Sequence, residues 1–141
     1  MAFVDHIKHM EVSIMTMKEL KELMNLPMTD FGNAQRLQTL FGKRWVYLPE
    51  YHYWMYRDSH SWKGKCTMQA IYAASDAFRH LAQEIYQMPV PDSEWERDHR
   101  VRAIAWLMHS QKITCAKHAL NLFRDMQMEE AMIRDDVLRS N

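Results

Sequence analysis

Glycine is scarce in this chain of 141 residues: Gly32, Gly42 and Gly64 are all it has. A phosphate-cradling P-loop or a dinucleotide fingerprint needs several glycines close together, so neither can be built here. Serines are present, but none stands in a nucleophile elbow. Cysteine is nearly absent too. Cys66 and Cys115 form no CxxC pair and imply no disulfide framework, which points to a reduced, cytoplasmic setting. Four prolines and three glycines leave no long flexible linker. No uncharged apolar run approaches the length of a membrane helix, so no membrane partner is expected. The opening MAFVDHIKHMEV is broken by Asp5, His6, Lys8, His9 and Glu11 and does not read as a signal peptide. Net charge is lacking as well, with 18 basic against 18 acidic side chains. Tight nonspecific binding to nucleic acid usually rests on a basic surface, so only a local patch remains available for it. A near-zero charge also favours a protein partner or a homo-oligomer.

What the chain does have is concentrated. Phe41, Trp45, Tyr47, Tyr51, Tyr53, Trp54, Tyr56 and Trp62, half of all its aromatic residues, fall in the run FGKRWVYLPEYHYWMYRDSHSW. Methionine is also abundant, at 13 residues, which suits irregular core filling or an adaptable docking face. The length and apolar fraction fit one domain with one core.

Hydrophobic period and capping residues divide the chain. Residues 1–12 carry no clear period and are expected to be loosely ordered. Thr16 to Glu19 fits a capping box, opening a short helix that runs to about Met24 and is stopped by Pro27. Thr29 or Asp30 caps a second helix with Leu37, Leu40 and Phe41 on its apolar side, and Gly42 ends it. From Arg44 the period becomes two. Trp45 and Tyr47 alternate with Val46 and Leu48, and Tyr53, Met55 and Arg57 alternate with Trp54 and Tyr56, with turns at Pro49-Glu50 and Asp58-Ser59-His60-Ser61. Residues 44–65 read as a small antiparallel hairpin or meander, which must pack on a helix because a lone hairpin is marginal in water. The helical period returns at Thr67, with Met68, Ile71, Tyr72, Phe78, Leu81 and Ile85 forming a stripe that ends before Pro89. Ser93 to Glu96 is a further capping box, and Val101, Ile104, Ala105 and Met108 form the apolar stripe behind it. After a break near His109-Ser110, a helix with Ile113, Ala116, Leu120 and Phe123 inward follows, then a last segment from Glu129 to Leu138. The fold class is mainly α (α+β), a helical bundle with a small antiparallel β element inserted after the second helix.

Chemistry-bearing constellations are few. His6 and His9, and Cys115 and His118, are each three apart, but a structural zinc site needs four ligands and no second convincing pair exists. No metal or cofactor is expected. Glu94, Glu96 and Asp98 alternate with Arg97, Arg100 and Arg102 and read as a solvated face. The aromatic ribbon has two readings. Its rings stand beside Lys43, Arg44, Arg57, Lys63 and Lys65, against only Glu50 and Asp58, a combination that can stack bases and hold phosphates. Alternatively, Trp45, Trp54, Tyr56 and Trp62 glue the ribbon to the helices through cross-strand pairs. Alternation allows one face to pack while the other stays open. The candidate nucleic-acid contacts are Arg44, Trp45, Trp54, Tyr56, Arg57, Trp62 and Lys63.

Thr29-Asp30-Phe31-Gly32-Asn33-Ala34, Arg36-Leu37, and then Tyr47, Trp54, Asp58 and Trp62 resemble the poxvirus-type primase N-terminal-like domain of phage and plasmid primases, which precedes a superfamily-three helicase. The resemblance covers about residues 28–138. It leaves residues 1–27 as an N-terminal segment with a short helix. Asp58-Ser59 stands where that family usually has an Asp-Gly turn, and Phe31 replaces a smaller aliphatic residue. The resemblance implies a noncatalytic DNA-replication domain, not an enzyme, that supports assembly of a helicase or primase and engages single- or double-stranded DNA weakly. The alternative is a phage-encoded protein-binding module that inhibits a host or defence complex with no nucleic-acid role.

Overall fold

The computed structural model describes residues 15–59 and 61–140. The expectations for residues 1–12, including His6 and His9, lie outside the described residues. Thr16 opens α1 (Met17–Met24), its hydroxyl accepting from the Glu19 amide at 3.1 Å. Thr29 does the same for α2 (Asp30–Phe41), accepting from Gly32 N at 2.9 Å. Each cap satisfies an amide that the first helical turn leaves unpaired. Gly42 follows α2 at φ 56°, where a Cβ would be strained.

The chain then changes period and forms three strands, β1 (Trp45–Leu48), β2 (Tyr53–Asp58) and β3 (Ser61–Lys65), in the order β1-β2-β3. Both pairings are antiparallel. Trp45 lies opposite Tyr56, Tyr47 opposite Trp54, and Arg57 opposite Trp62. The β1–β2 loop places His52 at φ 55°, and the turn after β2 places Ser59 at φ 56°.

Three long helices complete the body. They are α3 (Thr67–Tyr86), α4 (Glu94–Ser110) and α5 (Ile113–Ser140). Ser93 caps α4, accepting from Glu96 N at 3.0 Å. Arg97 and Arg100 bind the carbonyls of the α3–α4 connector. Arg97 donates to Pro91 and Asp92, and Arg100 to Met88 and Pro89. These two arginines therefore act as fasteners, not as part of a solvated charge face. The core is built from Leu37, Leu40 and Phe41 of α2, Phe78, Leu81 and Ile85 of α3, Leu107 of α4, and Leu120 and Phe123 of α5, with Trp45, Trp54 and Tyr56 closing one end.

The fold is mainly helical with an inserted three-stranded antiparallel sheet, as the periodicity indicates, but three details differ from the sequence expectation. The final segment is not separate: α5 runs unbroken for 28 residues because RDMQMEEAM contains only helix-compatible residues and no Gly or Pro. Met68, Tyr72 and Ile113 are exposed at the margins of their stripes. On α4 the buried positions are Ala103, Leu107 and Ser110, whereas Val101, Ala105 and Met108 point to solvent. Small Ala103 permits close helix approach, and Ser110 is fixed by a polar network that outweighs the larger apolar stripe.

Candidate nucleic-acid interface

That network is what the Thr-Asp-Phe-Gly-Asn-Ala segment builds. Asn33 is buried. Its Nδ2 donates to Ser110 Oγ at 2.9 Å, and its Oδ1 accepts from Trp106 Nε1 at 3.0 Å and from an Arg36 NH group at 3.0 Å. Arg36 is fully buried, and among the described residues no carboxylate pairs with it. Its guanidinium instead donates to the carbonyls of Leu23, Leu26 and Pro27, at 2.9, 2.7 and 2.9 Å, where α1 ends. Cations are favoured at a helix C-terminus, which offsets part of the burial cost. The remaining desolvation pushes the Arg36 pKa down to about 10. Gly32 makes the close approach feasible, since a Cβ there would sit 1.9 Å from the Pro27 carbonyl oxygen. The segment is thus architectural. It locks α1, α2 and α4 together at the end of α2 away from the ribbon.

The ribbon has two chemically distinct faces. On the inner face, Trp45 packs on Phe41 with ring centroids 5.6 Å apart and on Tyr56 at 4.9 Å, and Trp54 stacks on Phe123 at 5.9 Å with planes 12° apart. Trp45, Trp54 and Tyr56 are buried. As base-stacking contacts these three are corrected: period two turns them into the core, and a base cannot reach them without opening the ribbon. The four remaining predicted contacts lie at the surface. Arg44 is half-buried and Arg57 exposed, Trp62 is 46 % exposed, and Lys63 sits 3.2 Å from Asp58. Arg57 and Trp62 are cross-strand partners on the outer face. Trp62 does not join the inner aromatic cluster.

Sequence reasoning missed a groove beside that outer face. It has a volume of about 640 Å³ and lies between the ribbon and the distal half of α5. Lys43, Arg57 and Arg134 line it, with Glu130 as the acid, and Tyr47, Trp62 and Met126 supply apolar surface. Arg134 pairs with Glu130 at 3.4 Å, and among the described residues Lys43 and Arg57 are the lining charges that form no ion pair. The groove floor is held by Gln127. Its amide donates to Trp45 O at 2.7 Å and accepts from Tyr47 N at 3.0 Å. One side chain thereby imitates a neighbouring strand and covers the β1 edge, which would otherwise offer unpaired backbone groups. Arg124, which pairs with Asp125 at 3.2 Å, lies over the Tyr47 ring at 5.6 Å.

Other constellations do not converge on the groove. Asp76 and His80, a buried carboxylate–imidazole pair 3.1 Å apart on α3, also engage Arg79 and Gln83, and neither lines the groove. Cys115 approaches His109 at 3.6 Å, while His118 lies 3.8 Å from Asp30, so the predicted Cys115–His118 spacing is not used as a pair. Among the described residues, no three His, Cys, Asp or Glu side chains gather as a metal cluster, and no helix is long and apolar enough to cross a membrane.

A mainly helical domain with an aromatic ribbon and a groove lined by cations is the class these observations define. The family model described as D5 N terminal like matches residues 34–139, well over half of the chain. The chain belongs to that family, which comprises N-terminal domains of phage and plasmid primases and is associated with DNA replication. Comparison with curated proteins and with solved structures finds no match.

Proposed function

We propose that this chain is a noncatalytic replication module that engages DNA through the ribbon's outer face and supports assembly of a helicase or primase. The observation that carries the reading is the pairing of exposed Trp62 with Arg57 at the lip of a groove that also holds Lys43. An indole offers a sequence-tolerant stacking platform, and flanking cations hold phosphates. Single-stranded DNA fits this arrangement better than duplex, because only unpaired bases expose a π-face to the indole. The scarcity of glycine and the absence of a nucleotide-cradling loop support a role without turnover. Membership in a primase-associated family supports a helicase or primase as the protein partner.

Binding of labelled single-stranded and duplex DNA, measured at low and moderate salt, tests the reading. Single strands should bind more tightly, and affinity should fall as salt rises. Absence of binding to either at low salt, together with no copurification of a helicase or primase, would refute it. A second reading, a protein-binding module without a nucleic-acid role, draws on exposed Met132 and Ile133, which stand on the part of α5 that extends past the core. A pull-down that recovers a host or defence protein and no replication protein would favour it.

A further inference from the structure

The apolar stripe on α4 that turns away from the core has no use in the groove. Val101 is 65 % and Met108 42 % exposed, and Ala105 between them is exposed too. They lie opposite the buried Ala103 and Leu107, so α4 is apolar on two sides. A helix of that kind ordinarily has a partner on each side. Its outer face is bounded by acids at one end and bases at the other: Glu94 and Asp98 near the N-terminus, His109 in the last turn and Lys112 in the α4–α5 turn just beyond it, all exposed. Among the described residues, Glu94, Asp98 and Lys112 make no side-chain hydrogen bond or ion pair.

We propose that this face of α4 pairs antiparallel with the same face of a second copy of this chain, about a twofold axis that crosses the outer face midway between Val101 and Ala105. The spacing carries the argument. An antiparallel match about that point sets Val101 against the partner's Ala105, Asp98 against the end that carries Met108 and His109, and Glu94 towards the partner's α4–α5 turn, which carries Lys112. Each contact then occurs twice, as a twofold interface requires. The charge order is therefore self-complementary in the antiparallel sense, whereas a parallel pairing would set acid on acid and base on base. The opposed helix dipoles favour the same orientation. A single-helix contact is smaller than a standard stable interface, so the dimer is weak and concentration-dependent. The inference is independent of the DNA-binding reading.

Sedimentation of the full chain over a range of concentrations tests it. Reversible dimerisation is expected. Val101→Asp should abolish it with an unchanged thermal midpoint, because the residue is exposed. Glu94→Lys alone should weaken it roughly tenfold, by replacing two attractions with two repulsions. Combining Glu94→Lys with Lys112→Glu should restore it, since the swapped charges again face each other across the axis. A monomer at all concentrations, a dimer indifferent to Val101→Asp, or a charge swap that fails to restore pairing would each overturn the proposal.

Discussion

The two faces of the ribbon are made from the same kinds of residue and meet opposite fates. On the inner face, Trp45, Trp54 and Tyr56 lie against Phe41 and Phe123 in a closed aromatic cluster. On the outer face, Trp62 stays open beside Arg57. Aromatic content therefore does not decide which rings stay exposed. Position in the two-residue period and the element packed behind the strand do. The inner rings secure the sheet to α2 and α5, and that rigidity allows the outer indole and its cations to be presented in a fixed geometry.

The sharpest way to break the comparison is to truncate one indole from each face. Trp54→Ala should cost about 3–5 kcal/mol in urea unfolding, whereas Trp62→Ala should stay within about 1 kcal/mol of the parent. Equal costs would mean that the faces are not distinct. Gln127→Ala comes next. It removes two hydrogen bonds to the β1 backbone and leaves a strand edge uncovered, for an expected loss of about 2 kcal/mol. Unchanged stability and unchanged amide exchange at Tyr47 would show that the amide does not hold the edge. The double substitution Lys43→Ala/Arg57→Ala should leave folding intact and lower the slope of log affinity against log salt for single-stranded DNA by about 1.4, the contribution of two phosphate contacts. An unaltered slope would place the phosphates elsewhere. The smallest effect concerns the turn that joins β2 to the strand carrying Trp62. Ser59 holds a positive φ, so Ser59→Gly should raise stability by about 0.5–1 kcal/mol in thermal unfolding. A fall would mean that the serine side chain contributes more than its backbone strain costs.

Much of this architecture was legible in the sequence, for identifiable reasons. Thr16, Thr29 and Ser93 announce helix starts because a hydroxyl at that point has an amide to satisfy three residues on, and each does so here. The ribbon was readable from alternation within a dense aromatic run. The outward turn of Val101, Ala105 and Met108 was not. Both sides of α4 are apolar, and its rotation is set by Asn33 reaching Ser110 and Trp106, partners 77 and 73 residues away in the chain. Burial of Arg36 was equally hidden, because its acceptors are main-chain carbonyls that no residue type reveals. Of the candidate contacts, alternation separates Trp62 and Arg57 from Trp54 and Tyr56 only once the helix side of the sheet is known. The groove itself depends on α5 continuing past the ribbon to bring Arg134 opposite Lys43 and Arg57.

The most direct test of the two-face account is a single paired measurement on Trp62→Ala: its affinity for single-stranded DNA at low salt, and its thermal midpoint, each beside the parent protein. Loss of one base-stacking platform should weaken binding on the order of tenfold while the midpoint holds. Undiminished affinity, or a midpoint that drops as far as that of Trp54→Ala, would contradict it.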